Sequence, residues 1–120
     1  MRTGVILLGH GSRMKEAEST LQGLVDKVNK SGKYNLVLGA ALQFNSPDLP
    51  ASLEKAVSCG MERIIVVPLF LCMGTHMKKD IPEIIEEQKK KYNGVDIKLA
   101  GNIGADDKLV EIIFDRIGEV

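Results

Sequence analysis

The sequence predicts an α/β fold of four parallel strands alternating with four helices, and two features carry that prediction. Short continuous apolar runs recur at 3–8, 36–42, 63–71 and 95–100. Each is followed by a longer stretch whose apolar residues return at helical spacing, with no long linker, repeat or low-complexity segment between them. A βαβαβαβα order of this kind implies a parallel sheet with helices on both faces, joined by right-handed crossovers. Strand order 2-1-3-4 is the expected topology, because it puts helices on both sides of so short a sheet.

The elements follow in turn. Thr3–Leu8 (TGVILL) reads as a buried parallel strand, ended by the glycine-flanked GHGS. Ala17, Leu21, Leu24, Val25 and Val28 mark the first helix, which closes near Ser31-Gly32. Leu36–Leu42 is the second strand. Ser46-Pro47-Asp48 supplies a cap and a first-turn proline for a helix using Leu53, Ala56 and Val57 and ending at Gly60. Arg63–Leu71 (RIIVVPLFL) is the most strongly β-like segment. Pro68 has no N–H to give a ladder, so the regular strand is expected to end or bulge there. Asp80 and Pro82 are read as opening the third helix, with Ile81, Ile84 and Ile85 as its apolar stripe and Lys89-Lys90-Lys91 compensating the dipole at its end. Val95–Ala100 is the fourth strand. Asp106-Asp107 starts a last helix carrying Leu109, Ile112, Ile113 and Ile117.

Composition narrows the function. The chain has 120 residues, enough for one domain with one modest core, and that domain is expected to span residues 1–120. Sixteen basic residues balance sixteen acidic ones, so no global basic field exists to hold nucleic acid. The longest apolar run, Ile64–Gly74, is too short for a bilayer span, and no signal-like cleavage site follows the N-terminal apolar stretch. Cys59 and Cys72 form neither a disulfide framework nor a zinc-finger pattern. These features predict a cytoplasmic protein.

In an open α/β sheet, ligands bind beyond the carboxyl ends of the strands, where the winding reverses. For order 2-1-3-4 that point lies between strands 1 and 3. The chain's two histidines, His10 and His76, follow those two strands although 66 positions separate them. Imidazoles suit iron, cobalt, nickel or zinc, and can act as bases near neutral pH. Two of them without nearby thiolates make an open site, since a closed structural site wants four ligands. Gly9 and Gly11 beside His10, and Gly74-Thr75 before His76, are expected to let a large ligand approach the backbone. GHGSRM lacks the third glycine of a dinucleotide fingerprint, and there is no Walker-type loop. Ser12 is not in GxSxG and reads as a helix cap.

A strand ending in GHGSR, a second apolar strand leading to a loop with Pro47, and VVPLFLCMGTHMKKDIP together resemble the sirohydrochlorin chelatases. The likeness is greatest to the small single-domain cobaltochelatases, related to the nickelochelatases, and it covers essentially the whole chain. The resemblance implies insertion of a divalent metal (cobalt ahead of nickel and iron) into sirohydrochlorin, a reduced tetrapyrrole with eight carboxylates. The metal is then a substrate, with no permanently bound cofactor. His10 and His76 match the family histidines that contact the metal and accept pyrrole protons. Where the family often has a glutamate at the end of strand 2, this chain has Gln43, which offers a carbonyl oxygen but neither takes a proton nor adds charge. Arg13, Lys78 and Lys79, next to the histidine segments, are candidates for the substrate's carboxylates, with Gly9, Gly11, Ser12, Gln43, Gly74 and Thr75 around the cleft. Phe70 and Met73 are candidates for its apolar face, or for the core. Larger class II chelatases resemble two such units fused, so the resemblance also implies a homodimer. The competing expectation is a carrier that binds a divalent metal or tetrapyrrole without catalysing insertion.

Overall fold

The computed structural model describes residues 1–120 as β1 (Thr3–Gly9), α1 (Lys15–Lys30), β2 (Leu36–Ala41), α2 (Leu49–Ser58), β3 (Arg63–Pro68), α3 (Thr75–Lys91), β4 (Asp96–Leu99) and α4 (Asp107–Gly118). The strands form one parallel sheet in the order β2-β1-β3-β4, as the alternation predicts. β1 lies at its centre, with Val5 opposite Val37 on one side and Ile65 on the other. All five of its central residues are buried, which is why its sequence is apolar without alternation. β3 ends at Pro68 as expected, and the next residue adds one more ladder bond, Leu69 N–H to the Leu8 carbonyl at 2.9 Å.

The two faces of the sheet are covered unequally. α2 and α3 cover one face, burying Ile6, Leu8, Ile64, Val66 and Ile97 against Leu49, Leu53, Ala56, Ile81 and Ile85. On the other face α1 covers β1 and β2, where Val5, Leu7 and Val37 meet Val25. No helix of this chain packs over β3 and β4 on that side. Ile65 and Val67 are therefore only half-buried, and β3 alternates between buried and half-buried although its sequence is continuously apolar. α4 has no buried residue: Ile112, Ile113, Phe114 and Ile117 are 46%, 49%, 65% and 62% exposed. The predicted helix is present, but its apolar stripe has no partner within the chain. The radius of gyration is accordingly 14.9 Å, against about 13.6 Å for a compact chain of this length.

Two helix starts differ from the sequence expectation. α2 is capped by Asp48, whose carboxylate accepts the Ala51 N–H at 2.9 Å, and its first-turn proline is Pro50; Pro47 lies before the cap. α3 begins at Thr75, after Gly74, and not at Asp80, so Pro82 is inside the helix. Asp80 and Pro82 have the look of a cap and a first-turn proline. A proline inside a helix removes one backbone bond, here to the carbonyl four residues back, and the buried Ile81 and Ile85 hold the turn in place. His76 thus belongs to the first turn of a helix and not to a loop. No helix is long and apolar enough to cross a membrane.

Candidate active site

Four segments leave the carboxyl ends of the strands: residues 10–14 after β1, 42–48 after β2, 69–74 after β3 and 100–106 after β4. Hydrogen bonds tie the second to the end of β1 and to the first. The Leu42 N–H donates to the Gly9 carbonyl at 3.1 Å, and the Ser12 N–H to Asn45 Oδ1 at 2.8 Å. Asn45 Nδ2 in turn donates to Glu18 Oε1 on α1 at 2.8 Å. Gly11 has φ 89°, and a Cβ there would stand 1.9 Å from the Gln43 carbonyl oxygen. The glycine is required by the neighbouring backbone, which occupies the space that the sequence reading assigned to a ligand. Gly9 and Gly74 are different: the nearest atom to a Cβ on either would be a side-chain carbon, at 3.5 Å and 3.6 Å.

His10 stands on this clamped pair of segments and is exposed. Its Nδ1 lies 3.3 Å from Gln43 Nε2, and its ring meets Phe70 edge-on with centroids 5.8 Å apart. As placed, the Gln43 amide donates to Nδ1; turned about, its oxygen accepts an Nδ1–H and His10 Nε2 keeps a free lone pair. Gln43 thus touches the His10 ring whichever way its amide is turned. Phe70 is 7% exposed and belongs to the core, and Met73 packs against the same cluster, so neither offers the open face that the sequence allowed them.

The segment after β3 is tied to the one after β4. Asn102 Nδ2 donates to the Phe70 and Leu71 carbonyls at 3.2 and 3.1 Å. From it α3 starts without a side-chain cap, so the first N–H groups, including those of Thr75 and His76, have no side-chain acceptor. His76 is exposed, as are Thr75, Lys78 and Lys79. Arg13, Lys78 and Lys79 take part in none of the chain's four ion pairs. Ser12 Oγ accepts the Met14 N–H at 3.1 Å, a turn just ahead of α1, whose cap position is Met14.

No cluster of three or more His, Cys, Asp or Glu side chains could hold a metal ion. A cavity of about 800 Å³ runs from Gly9, His10 and Gly11 along β2, and His76 does not line it. Both histidines are exposed to solvent. Sequence reasoning missed Asn45, which ties both segments to α1, and Phe44, whose ring lies under the Arg13 guanidinium at 4.7 Å. The polar turn FNSP was the only signal for either.

The sheet is doubly wound, and its two exposed imidazoles follow β1 and β3, the strands that flank the topological switch point of such folds. The CbiX family model matches residues 4–120, and the chain belongs to that family. It is 40% identical to the sirohydrochlorin cobaltochelatase of Sulfurisphaera tokodaii over 98% of this chain and 92% of that one. Against the enzyme of the same name from Methanocaldococcus jannaschii the identity is 32%, over 93% and 95%. Among crystal structures, a cobalamin-biosynthesis CbiX protein from Marinobacter aquaeolei matches with a TM-score of 0.82 at 32% identity, over 98% of this chain and 95% of that one. The sirohydrochlorin chelatase SirB from Bacillus subtilis, in complex with cobalt, matches with a TM-score of 0.92 at 28% identity. That match covers 100% of this chain but 51% of SirB, so this chain spans about half of it.

Proposed function

We propose that this protein works as a sirohydrochlorin cobaltochelatase through His10 and His76, the two exposed imidazoles beyond the carboxyl ends of β1 and β3. The activity is that of its family, metal insertion in tetrapyrrole biosynthesis, and it makes the protein a chelatase of the lyase class. The observation that carries the residue assignment is that the chain's only two histidines stand at the same end of adjacent strands. An incoming Co²⁺ must lose water, pass to the macrocycle and displace two pyrrole protons. Two replaceable imidazoles hold it loosely enough to release it, where a four-ligand cage would trap it. The same imidazoles take the pyrrole protons, and nickel and iron are the competing metals. Arg13, Lys78, Lys79 and the free N–H groups opening α3 meet the substrate's carboxylates. Replacing either histidine with alanine should lower metallation about 100-fold with the circular-dichroism spectrum unchanged. Two single variants that metallate sirohydrochlorin at the wild-type rate would end the assignment, and binding without any acceleration over a protein-free control would make the protein a carrier.

In this reading residues 1–120 form one chelatase-like domain, and a second copy supplies the other wall. Sites for small molecules bury about 70–90% of the ligand, which the open mouth of a single chain does not. SirB is about twice as long. The uncovered stripe of α4 is where we seat the partner, in a two-fold homodimer. Sedimentation at micromolar concentration should give about twice 13.1 kDa, and Ile113→Asp with Ile117→Asp should return the mass to that of one chain. An active wild type that sediments as one chain would refute the shared site.

A further inference from the structure

We infer that Phe44 and Arg13 together grip the tetrapyrrole, the Phe44 ring lying on its apolar face and the Arg13 guanidinium taking one of its carboxylates. The inference rests on the chelatase reading above and adds to it a residue that the two histidines do not need.

Phe44 is the only residue other than glycine with positive φ, at 65°. A bulky side chain adopts that conformation at a cost, and strain of this kind persists where neighbouring structure imposes it. Here the neighbours do so. Leu42 on one side is bonded to Gly9 at the end of β1 and Asn45 on the other to Ser12, and the Asn45 N–H closes on the Gln43 carbonyl at 2.8 Å. Burial gives the ring nothing in return, since Phe44 is 58% exposed. Glycine or asparagine would take this backbone with less strain and lose no core contact. The fold thus fixes the backbone that carries an exposed aromatic ring, one residue from the side chain that touches His10.

Its surroundings point to a flat, apolar, anionic ligand. Arg13 lies over the ring, and no carboxylate claims its charge. The contact orients the guanidinium while leaving its fork of N–H donors for an acceptor. Each of the other three segments at this end of the sheet also exposes one large apolar side chain: Met14, Leu71 and Ile103, at 64%, 66% and 39%. A hydrated metal ion has no use for such a rim. A macrocycle with an apolar face and a periphery of carboxylates matches both halves of the Phe44–Arg13 pair.

The test is a titration of metal-free sirohydrochlorin into the wild type, Phe44→Ala, Phe44→Tyr, Phe44→Gly and Arg13→Gln, followed by absorption. Phe44→Ala should raise Kd about tenfold, and Phe44→Tyr should stay within about twofold of the wild type. Arg13→Gln should raise Kd about fivefold. Co²⁺ binding without tetrapyrrole should be the same in all five proteins. Phe44→Gly should bind as weakly as Phe44→Ala yet melt no lower than the wild type, a combination that a purely structural phenylalanine would not give. An unchanged Kd in Phe44→Ala would overturn the inference while leaving the chelatase reading in place. So would a change of oligomeric state in that variant, which would make the ring an interface contact. A wild type that does not bind sirohydrochlorin at all would overturn the function and this inference with it.

Discussion

The two histidines reach the same end of the sheet by different means. His10 stands on a segment whose path is set by a second segment: Gly11 lies against the Gln43 backbone, Ser12 is bonded to Asn45, and Asn45 to Glu18 on α1. His76 is carried by the first turn of α3, whose geometry comes from the helix itself and from Ile81 and Ile85 buried behind it. One imidazole is positioned by contacts across 33 residues of sequence, as the spacing of His10 and Gln43 shows. The other depends on local helix formation. The difference predicts that equivalent substitutions beside the two histidines will have very unequal consequences.

The largest effect is expected from Gly11→Ala. The new methyl group would collide with the Gln43 carbonyl, and φ 89° is unfavourable for any residue with a Cβ. Together these should cost about 3–5 kcal/mol of stability, or part the two segments and displace His10. Gly74→Ala is the matched control on the other side. Its backbone is ordinary extended chain at φ −68° and ψ 166°, and the added methyl would touch only the flexible end of Met77. It should change stability by no more than about 0.5 kcal/mol and leave metallation near the wild-type rate. Thermal melts and insertion rates on the two variants measure the contrast directly. Equal losses in both would mean that the clamp seen around His10 does not distinguish the two sides.

The same contrast explains what can be read from the sequence. The placement of both histidines after strands 1 and 3 follows from alternation, because apolar runs and helical periods are local patterns. The strand order needs the crossover rule and the demand for helices on both faces as well. The start of α3 is hidden because Asp80 and Pro82 imitate a helix start, and only the burial of Ile81 and Ile85 reveals the helix running through them. The reason for Gly11 is equally hidden, since it depends on where Gln43 lies in space. Phe44 is a lone aromatic in a polar turn and carries no periodicity to mark it. The uncovered stripe of α4 is visible as a pattern, but nothing in the pattern says whether the surface that covers it lies in the same chain.

The smallest effect sharpens the comparison instead of breaking it. Gln43→Glu keeps the size of a side chain that is exposed and lies 3.3 Å from His10 Nδ1, so the fold should be indifferent. The chemistry should not be. A carboxylate accepting the Nδ1–H makes the imidazole a stronger donor through Nε2, as acidic partners of metal-binding histidines do, and adds a proton acceptor at the mouth. The His10 side should then hold the incoming ion more tightly, and the relative insertion rates of cobalt, nickel and iron should change by a few-fold while the melting temperature stays put. In a His10→Ala background the same substitution should leave the metal profile of the residual activity unaltered, because the carboxylate would have lost the ring through which it acts. An identical profile for the wild type and Gln43→Glu, with His10 present in both, would place position 43 outside the reacting site. A full shift in the absence of His10 would instead make the side chain at position 43 a direct ligand.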